Sequence, residues 1–149
     1  MRAVIQRVEN AHVSINHTIT ASIKKGLCVF VAIHATDTQK TIAWMTKKIL
    51  NLRVFEDTSQ KMNESIKDQN LELLIIPQFT LYANCQKGTR PNFTESAPPQ
   101  IAKPLFNDFI TYIKTQHPST QSGIFAASMN IQLTNNGPVT LILDAPALQ

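Results

Sequence analysis

Thr80 is the one hydroxyl of Pro77-Gln78-Phe79-Thr80-Leu81, at the end of an apolar run, and invites reading as a nucleophile. A threonine oxygen becomes a nucleophile only when a base takes its proton. No histidine or lysine is close to Thr80 in sequence, although a distant one could approach in space. Gln78 does not titrate and can only orient groups through hydrogen bonds. The other reading of Thr80 is a β-branched residue filling a strand position, and the missing base favours it. Phe79 reads more readily as core than as a platform for a ligand. A second segment of interest is Asn136-Gly137-Pro138-Val139-Thr140. Gly-Pro commonly marks a turn, and only ~5–6% of X-Pro bonds in folded proteins are cis, so read alone it predicts a trans turn. Pro138 has no N–H to give a strand ladder. With Gly137 it also leaves backbone carbonyls open to close approach by a ligand.

Other reactive side chains are scattered. His12, His17, His34 and His117 stand alone, as surface or internally satisfied histidines do. Glu56, Asp57, Glu64 and Asp68 share a polar stretch that could supply a carboxylate pair, but their spacing fits no helix face. Cys28 lies inside an apolar run as a small core residue, far from Cys85. Neither has zinc-site neighbours, so no metal, no cofactor and no disulfide are expected. There is no clustered triad and no glycine-rich phosphate loop.

The elements that must position these residues follow from periodicity. Residues 2–8 and 11–16 read as two short strands. Leu27 to Ile33 is a continuous apolar run of strand length, buried on both faces. Asp37 can cap a following helix whose inner face is Ile42, Met45, Ile49 and Leu50, with Lys47 and Lys48 favouring its C-terminal end. Leu71 to Ile76 is a second buried strand leading into Pro77-Gln78. A loop with Gly88, Pro91, Pro98 and Pro99 follows. Ile101, Leu105, Phe109 and Ile113 then step by four along a second amphipathic helix. Met129, Ile131 and Leu133 alternate with polar residues, as do Val139, Leu141 and Leu143. Asn135-Asn136-Gly137 between them predicts a hairpin turn. The expected fold is a single mixed α/β domain over 1–149, β-sheet layers with one helical layer made of two main helices.

At 149 residues the chain can bury a substantial core, and 43% hydrophobic with 16% charged residues is a globular composition. Its longest apolar run falls far short of the ~20 residues of a membrane span. The N-terminal segment places Arg7 where a signal peptide's apolar region would be, so a cytoplasmic protein is expected. A formal charge of +4 suits a polyanionic partner. The positive residues come as scattered pairs, Lys24-Lys25, Lys47-Lys48 and Lys87 with Arg90, so any nucleic-acid contact would be made by a folded surface.

Several segments, in order along nearly the whole chain, resemble the D-aminoacyl-tRNA deacylases. They begin with Met1-Arg2-Ala3-Val4-Ile5-Gln6-Arg7-Val8 and Lys61-Met62-Asn63. They continue through residues 77–82, Gly88-Thr89-Arg90-Pro91-Asn92-Phe93, Gly123-Ile124-Phe125-Ala126-Ala127-Ser128-Met129 and residues 136–140. The resemblance implies a homodimer that hydrolyses D-amino acids from mischarged tRNA, clears glycyl-tRNA, and acts on neither DNA nor membranes. It implies that Gly137-Pro138 of one subunit, with a cis peptide, enters the pocket of the other, and that Arg7 holds that motif. Gln78, Phe79 and Thr80 would line the catalytic pocket, chiefly through backbone N–H groups. Phe125, Ala126 and Met129 would lie near the terminal adenosine of the tRNA. It also implies catalysis assisted by the tRNA's own ribose 2′-hydroxyl, with Thr80 positioning substrate. Pro77 departs from the serine usual in the family. It matches a sister group that removes L-alanine from mischarged threonine tRNA, though that group tends to have alanine where this chain has Phe79. Ala126 and Ile124 stand where related sequences commonly have glycine and arginine.

Overall fold

Alternating small apolar residues at the N-terminus build one strand of 14 residues, β1 (Arg2–Ile15), where two had been expected. The computed structural model describes residues 1–147. β1 is followed by β2 (Thr18–Ile23), β3 (Gly26–Ala32), α1 (Gln39–Asn51), the short pair β4 (Phe55–Glu56) and β5 (Met62–Glu64), then β6 (Glu72–Pro77). A one-turn 3-10 helix (Phe79–Tyr82), α2 (Pro99–Gln116), β7 (Thr120–Ser122) and β8 (Asn130–Asp144) complete the chain. The sheet runs β2-β1-β3-β6-β7, with β8 on β1. β3, β6 and β7 are parallel, and β1 is antiparallel to β2, β3 and β8. With β2 approaching β6 and β7, the sheet curls into a nearly closed form.

β1 reads as two strands because its inward face switches. Ala3 and Ile5 join the core under the helices, whereas Val8, Ala11 and Val13 join a second core on the other side of the sheet. The switch coincides with register shifts around Val8 in its pairing with β8, as irregular strand pairing requires. β3 and β6 supply both cores by alternation. Leu27, Val29, Val31, Leu73 and Ile75 face the helices, and Cys28, Leu74 and Ile76 face the inside of the curl. The buried runs expected at 27–33 and 71–76 are these two strands.

The hairpin expected at Asn135-Asn136-Gly137 is not formed. β8 continues through it, and both halves pair with β1. Between the pairs Gln6↔Thr140 and Val8↔Asn135, β8 spends more residues than β1. Its surplus bulges outward and carries Gly137-Pro138. The turn-forming chemistry of Asn and Gly is thus used in a bulge. Gly137-Pro138 is cis, not the trans turn that the dipeptide alone predicts.

Two details of the helices also differ. Thr38, not Asp37, caps α1, its N–H donating to Thr41 Oγ1 at 3.2 Å. Asp37 is engaged elsewhere: it accepts from the Met1 amine (2.5 Å) and the His34 N–H (2.7 Å). In α2 the buried face is Ala102, Phe106, Phe109 and Ile113, while Ile101 is 42% exposed. A strict step of four drifts about 40° per step on a helix of 3.6 residues per turn, so a row buried at Ile113 has left the core by Ile101. Ile42, Met45, Ile49 and Leu50 of α1 are all buried as expected. No described helix is long and apolar enough to cross a membrane.

Candidate active site

Parallel strands β3 and β6 end together, with Val31 opposite Pro77. Gln78 extends the ladder by one bond, its N–H donating to the Val31 carbonyl at 2.8 Å. The chain then tightens into the 3-10 turn that opens at Phe79. Beyond these strand ends lies a cavity of about 590 Å³. Ligand sites favour such carboxyl ends of parallel strands. Its wall comprises Val31 to Ile33, Pro77 to Phe79, Phe93, residues 96–99 with Ala102 and Phe106 at the start of α2, and the segment from Phe125 to Ile131.

Sequence reasoning placed Gln78, Phe79, Phe125, Ala126 and Met129 at the site, and the structure brings all five to this one wall. Phe79 is 56% exposed rather than core, its ring edge-on to Phe93 at 5.2 Å. Phe125 packs on Phe106 (ring centroids 6.0 Å apart). Ala126 has φ +62°, the left-handed region that favours glycine. Met129 is pinned by Gly123, where even a Cβ would come 2.8 Å from its sulfur. Thr80 does not line the cavity; its hydroxyl accepts from Gln78 Nε2 at 2.5 Å.

Two contributors were missed. Phe93 was read within a matching segment but given no role. Ser96 gave no signal; only the fold, through the His34–Ser96 bridge, sets its hydroxyl to donate to the Phe79 carbonyl at 2.7 Å. Glu56, Asp57, Glu64 and Asp68 form no carboxylate pair of a catalytic kind. Asp57 accepts from Ser59, Lys61 and Asn63, Asp68 from Ser65, and Glu64 from Gln69. Backbone hydrogen bonds to the charged form hold both aspartates below the usual carboxylate range.

Gly137 and Pro138 lie apart from the cavity of their own chain. Arg7, 5% exposed, holds them. Its Nε donates to Asn136 Oδ1 (3.1 Å) and the Asn136 carbonyl (3.3 Å), Nη2 to the Gly137 carbonyl (3.1 Å) and Nη1 to the Val54 carbonyl (2.6 Å). Arg7 pairs with Leu27, whereas the cavity wall on β3 begins at Val31. At about 3.3 Å per residue the two sites are more than 10 Å apart along the sheet.

The family model described as D-Tyr-tRNA(Tyr) deacylase matches residues 4–144. The chain belongs to the D-Tyr-tRNA(Tyr) deacylase family. A relative from Petrotoga mobilis named D-aminoacyl-tRNA deacylase is 48% identical over 149 residues, covering 99% of each chain. Another of that name, from Desulfotalea psychrophila, is 46% identical over 145 residues, covering 97% of each. A solved structure named c-Myc DNA Unwinding Element Binding Protein superposes with TM-score 0.93 at 39% identity, over 99% of this chain and 100% of that one. A second, described as a probable eukaryotic D-amino acid tRNA deacylase, gives TM-score 0.85 over 95% of this chain and 97% of that one. At 15% identity it speaks for the fold alone.

In this deacylase-family chain the cavity wall holds no ionisable side chain. The nearest phenol, Tyr82, is pushed up to about 12 by burial and stays neutral at ordinary pH. Arg2 stacks over its ring at 5.1 Å and pairs with Asp144, which raises the Arg2 pKa further. His34, the nearest histidine in the chain to the wall residue Ile33, is engaged with Thr36 at 2.8 Å. What the wall offers a ligand is apolar surface, amide groups and main chain.

Proposed function

We propose that this protein hydrolyses the ester of D-aminoacyl-tRNA, releasing a D-amino acid and tRNA. It acts as a cytoplasmic homodimer without a cofactor. The observation that carries this reading is a cavity without acid or base, paired with a Gly137-Pro138 bulge held rigidly outside it. An aminoacyl ester is already activated, so oriented donors suffice: one well-placed donor to the oxyanion is worth ~2.7–4 kcal/mol. Phe79 and Thr80 open the 3-10 turn, so their N–H groups have no acceptor within it and are available for that role. Water adds to the ester carbonyl, the C–O bond to the ribose breaks, and the ribose oxygen leaves with a proton. The substrate's neighbouring 2′-hydroxyl serves this proton transfer in place of a protein base.

Chirality is read by fixing what all substrates share. With the α-amino group, carbonyl and adenosine held, an L-side chain is driven into the Gly137-Pro138 wall of the partner subunit. Glycine has no Cβ to exclude, so glycyl-tRNA is also cleared. The dimer is supported by β8, which among the described strands pairs only with β1 and exposes Ile142 (72%) and Leu141 (36%) beside the bulge. Unpaired apolar edges of this length are ordinarily covered.

The test is deacylation of matched D-Tyr-tRNA, L-Tyr-tRNA and L-Ala-tRNA(Thr). Hydrolysis of the D-ester alone is expected and makes Pro77 a tolerated variation. Hydrolysis of L-Ala-tRNA(Thr) would mean that Pro77 reports a relaxed pocket. No turnover of any substrate would favour a silent polynucleotide-binding module, the reading suggested by the name of the DNA-element-binding neighbour. A monomeric mass with full activity would remove the cross-subunit wall.

Two further results are expected. Thr80→Ala should lower kcat only modestly, about tenfold or less, because its hydroxyl points to Gln78 and not to the cavity. Near-complete loss with binding intact would restore the nucleophile. The pH profile of kcat/KM should contain no protein inflection in the neutral range. Its one inflection should follow the substrate α-amine, near 7.7–8.0. An inflection abolished by His34→Asn would instead place a protein base at the site.

A further inference from the structure

We propose that the loop from Asn84 to Asn92 is a phosphate clamp for the single-stranded 3′ end of the RNA, with Lys87 and Arg90 as its two cations. This rests on the functional reading above, because it concerns how the same cavity receives its substrate.

The loop is a closed unit. Its base is tied by two backbone bonds, Asn84 N–H to the Asn92 carbonyl (2.7 Å) and Asn92 N–H to the Asn84 carbonyl (3.0 Å). The base joins directly to Phe93, which lines the cavity and packs on Phe79. Arg90 is three residues from Phe93, so their Cα atoms are within about 10 Å. At the tip, Gly88 takes φ +68°, which permits the tight reversal between the two cations.

Lys87 and Arg90 are exposed, and among the described residues neither side chain enters a hydrogen bond or ion pair. From Ala83 to Thr94 the sequence contains no carboxylate, so the loop carries an uncompensated charge of two. Three other basic positions have local work. Lys48 lies in the last turn of α1, where it complements the helix dipole, and over the Trp44 ring. Arg2 pairs with Asp144, and Arg53 donates to the Asn63 carbonyl at 2.7 Å. What sets the loop cations apart from the remaining exposed lysines is their place on a carboxylate-free loop that runs straight into the cavity wall at Phe93. A nucleotide whose base and ester occupy the cavity must leave through its mouth, and the phosphates that follow it are the anions this rim would meet.

The experiment compares wild type with Lys87→Ala/Arg90→Ala on two substrates, full D-Tyr-tRNA and the terminal fragment D-tyrosyl-adenosine, which has no phosphate. Two single-strand phosphate contacts contribute about 1.4 to the slope of log(kcat/KM) against log[salt]. The variant should lose that much slope on D-Tyr-tRNA. Between 50 and 200 mM salt the wild type should therefore lose roughly sevenfold more activity than the variant. On D-tyrosyl-adenosine the two proteins should be equal and insensitive to salt. Lys87→Arg/Arg90→Lys should retain the wild-type slope. Equal slopes for wild type and variant on D-Tyr-tRNA would overturn the clamp while leaving the deacylase reading standing. An equal loss on both substrates would also overturn it, since the loop would then be shaping the cavity. Failure of the wild type on both substrates would overturn the functional reading itself, and the clamp with it.

Discussion

Arg7→Ala is expected to cost about 3 kcal/mol or more of stability and to lower kcat/KM at least a hundredfold. The guanidinium is 5% exposed and serves three carbonyls, those of Val54, Asn136 and Gly137. Hydrogen bonds from a charged donor are worth ~1.5–3 kcal/mol, and removing the donor leaves the buried Val54 carbonyl unsatisfied. The loss of function has a separate origin. The Gly137 carbonyl sits in a bulge that the strand ladder does not hold, so Arg7 is what fixes the Gly137-Pro138 segment that, in the proposed dimer, would face the other subunit's cavity. Arg7→Lys should fold better than Arg7→Ala but not restore activity, because one ammonium cannot reproduce a planar fork with donors in fixed directions. Urea unfolding and single-turnover deacylation, run on the same samples, separate the two effects. An activity loss fully accounted for by the unfolded fraction would leave Arg7 a purely structural residue.

Gly26→Ala should be more severe for the fold, costing over about 4 kcal/mol or giving no soluble protein. A Cβ at Gly26 would lie 1.8 Å from the Glu72 carbonyl oxygen and 2.8 Å from its carbon. Both are backbone atoms, at the first register pair of the parallel β3–β6 ladder, and cannot swing aside. Gly137→Ala provides the contrast. Nothing lies within 4 Å of a Cβ there, so the melting temperature should barely move. Deacylation of D-esters should nevertheless fall about tenfold or more if that open space is filled by substrate in the partner's pocket. A Gly137→Ala enzyme with unchanged D-activity and unchanged chirality would argue against the shared wall.

The difference between these glycines shows what sequence could and could not convey. Hydrophobic runs and one-face spacing disclosed β3, β6, α1 and α2, because burial alone dictates those patterns. Of the residues that the resemblance named, Gln78, Phe79, Phe125, Ala126 and Met129 share one wall, whereas Thr80, Arg7, Gly137 and Pro138 do not line it. Gly26 gave no signal, because its constraint is the approach of a strand more than forty positions away. Asn135-Asn136-Gly137 misled, because turn-forming residues report local backbone freedom and not whether the chain reverses or bulges. β2, β4, β5 and β7 escaped notice; β4, β5 and β7 are short, and the exposed start of β2 is held by its pairing with β1. Ser96 was invisible for the same reason as Gly26. Its contact with the Phe79 carbonyl spans a loop whose path only the fold determines.

β1 pairs with β8 along nearly its whole length, and this has a consequence during synthesis. The first strand to leave the ribosome finds β3 and β2 almost at once. Its other edge has no neighbour until residues beyond Asn130 appear. At ≈ 5–20 residues per second that interval is on the order of ten seconds. Throughout it a long ribbon, half of its residues apolar, displays unpaired N–H and C=O groups to every nascent chain nearby. The seam closes only when β8 is made, so the second edge of β1 is the part of the sheet exposed longest during synthesis.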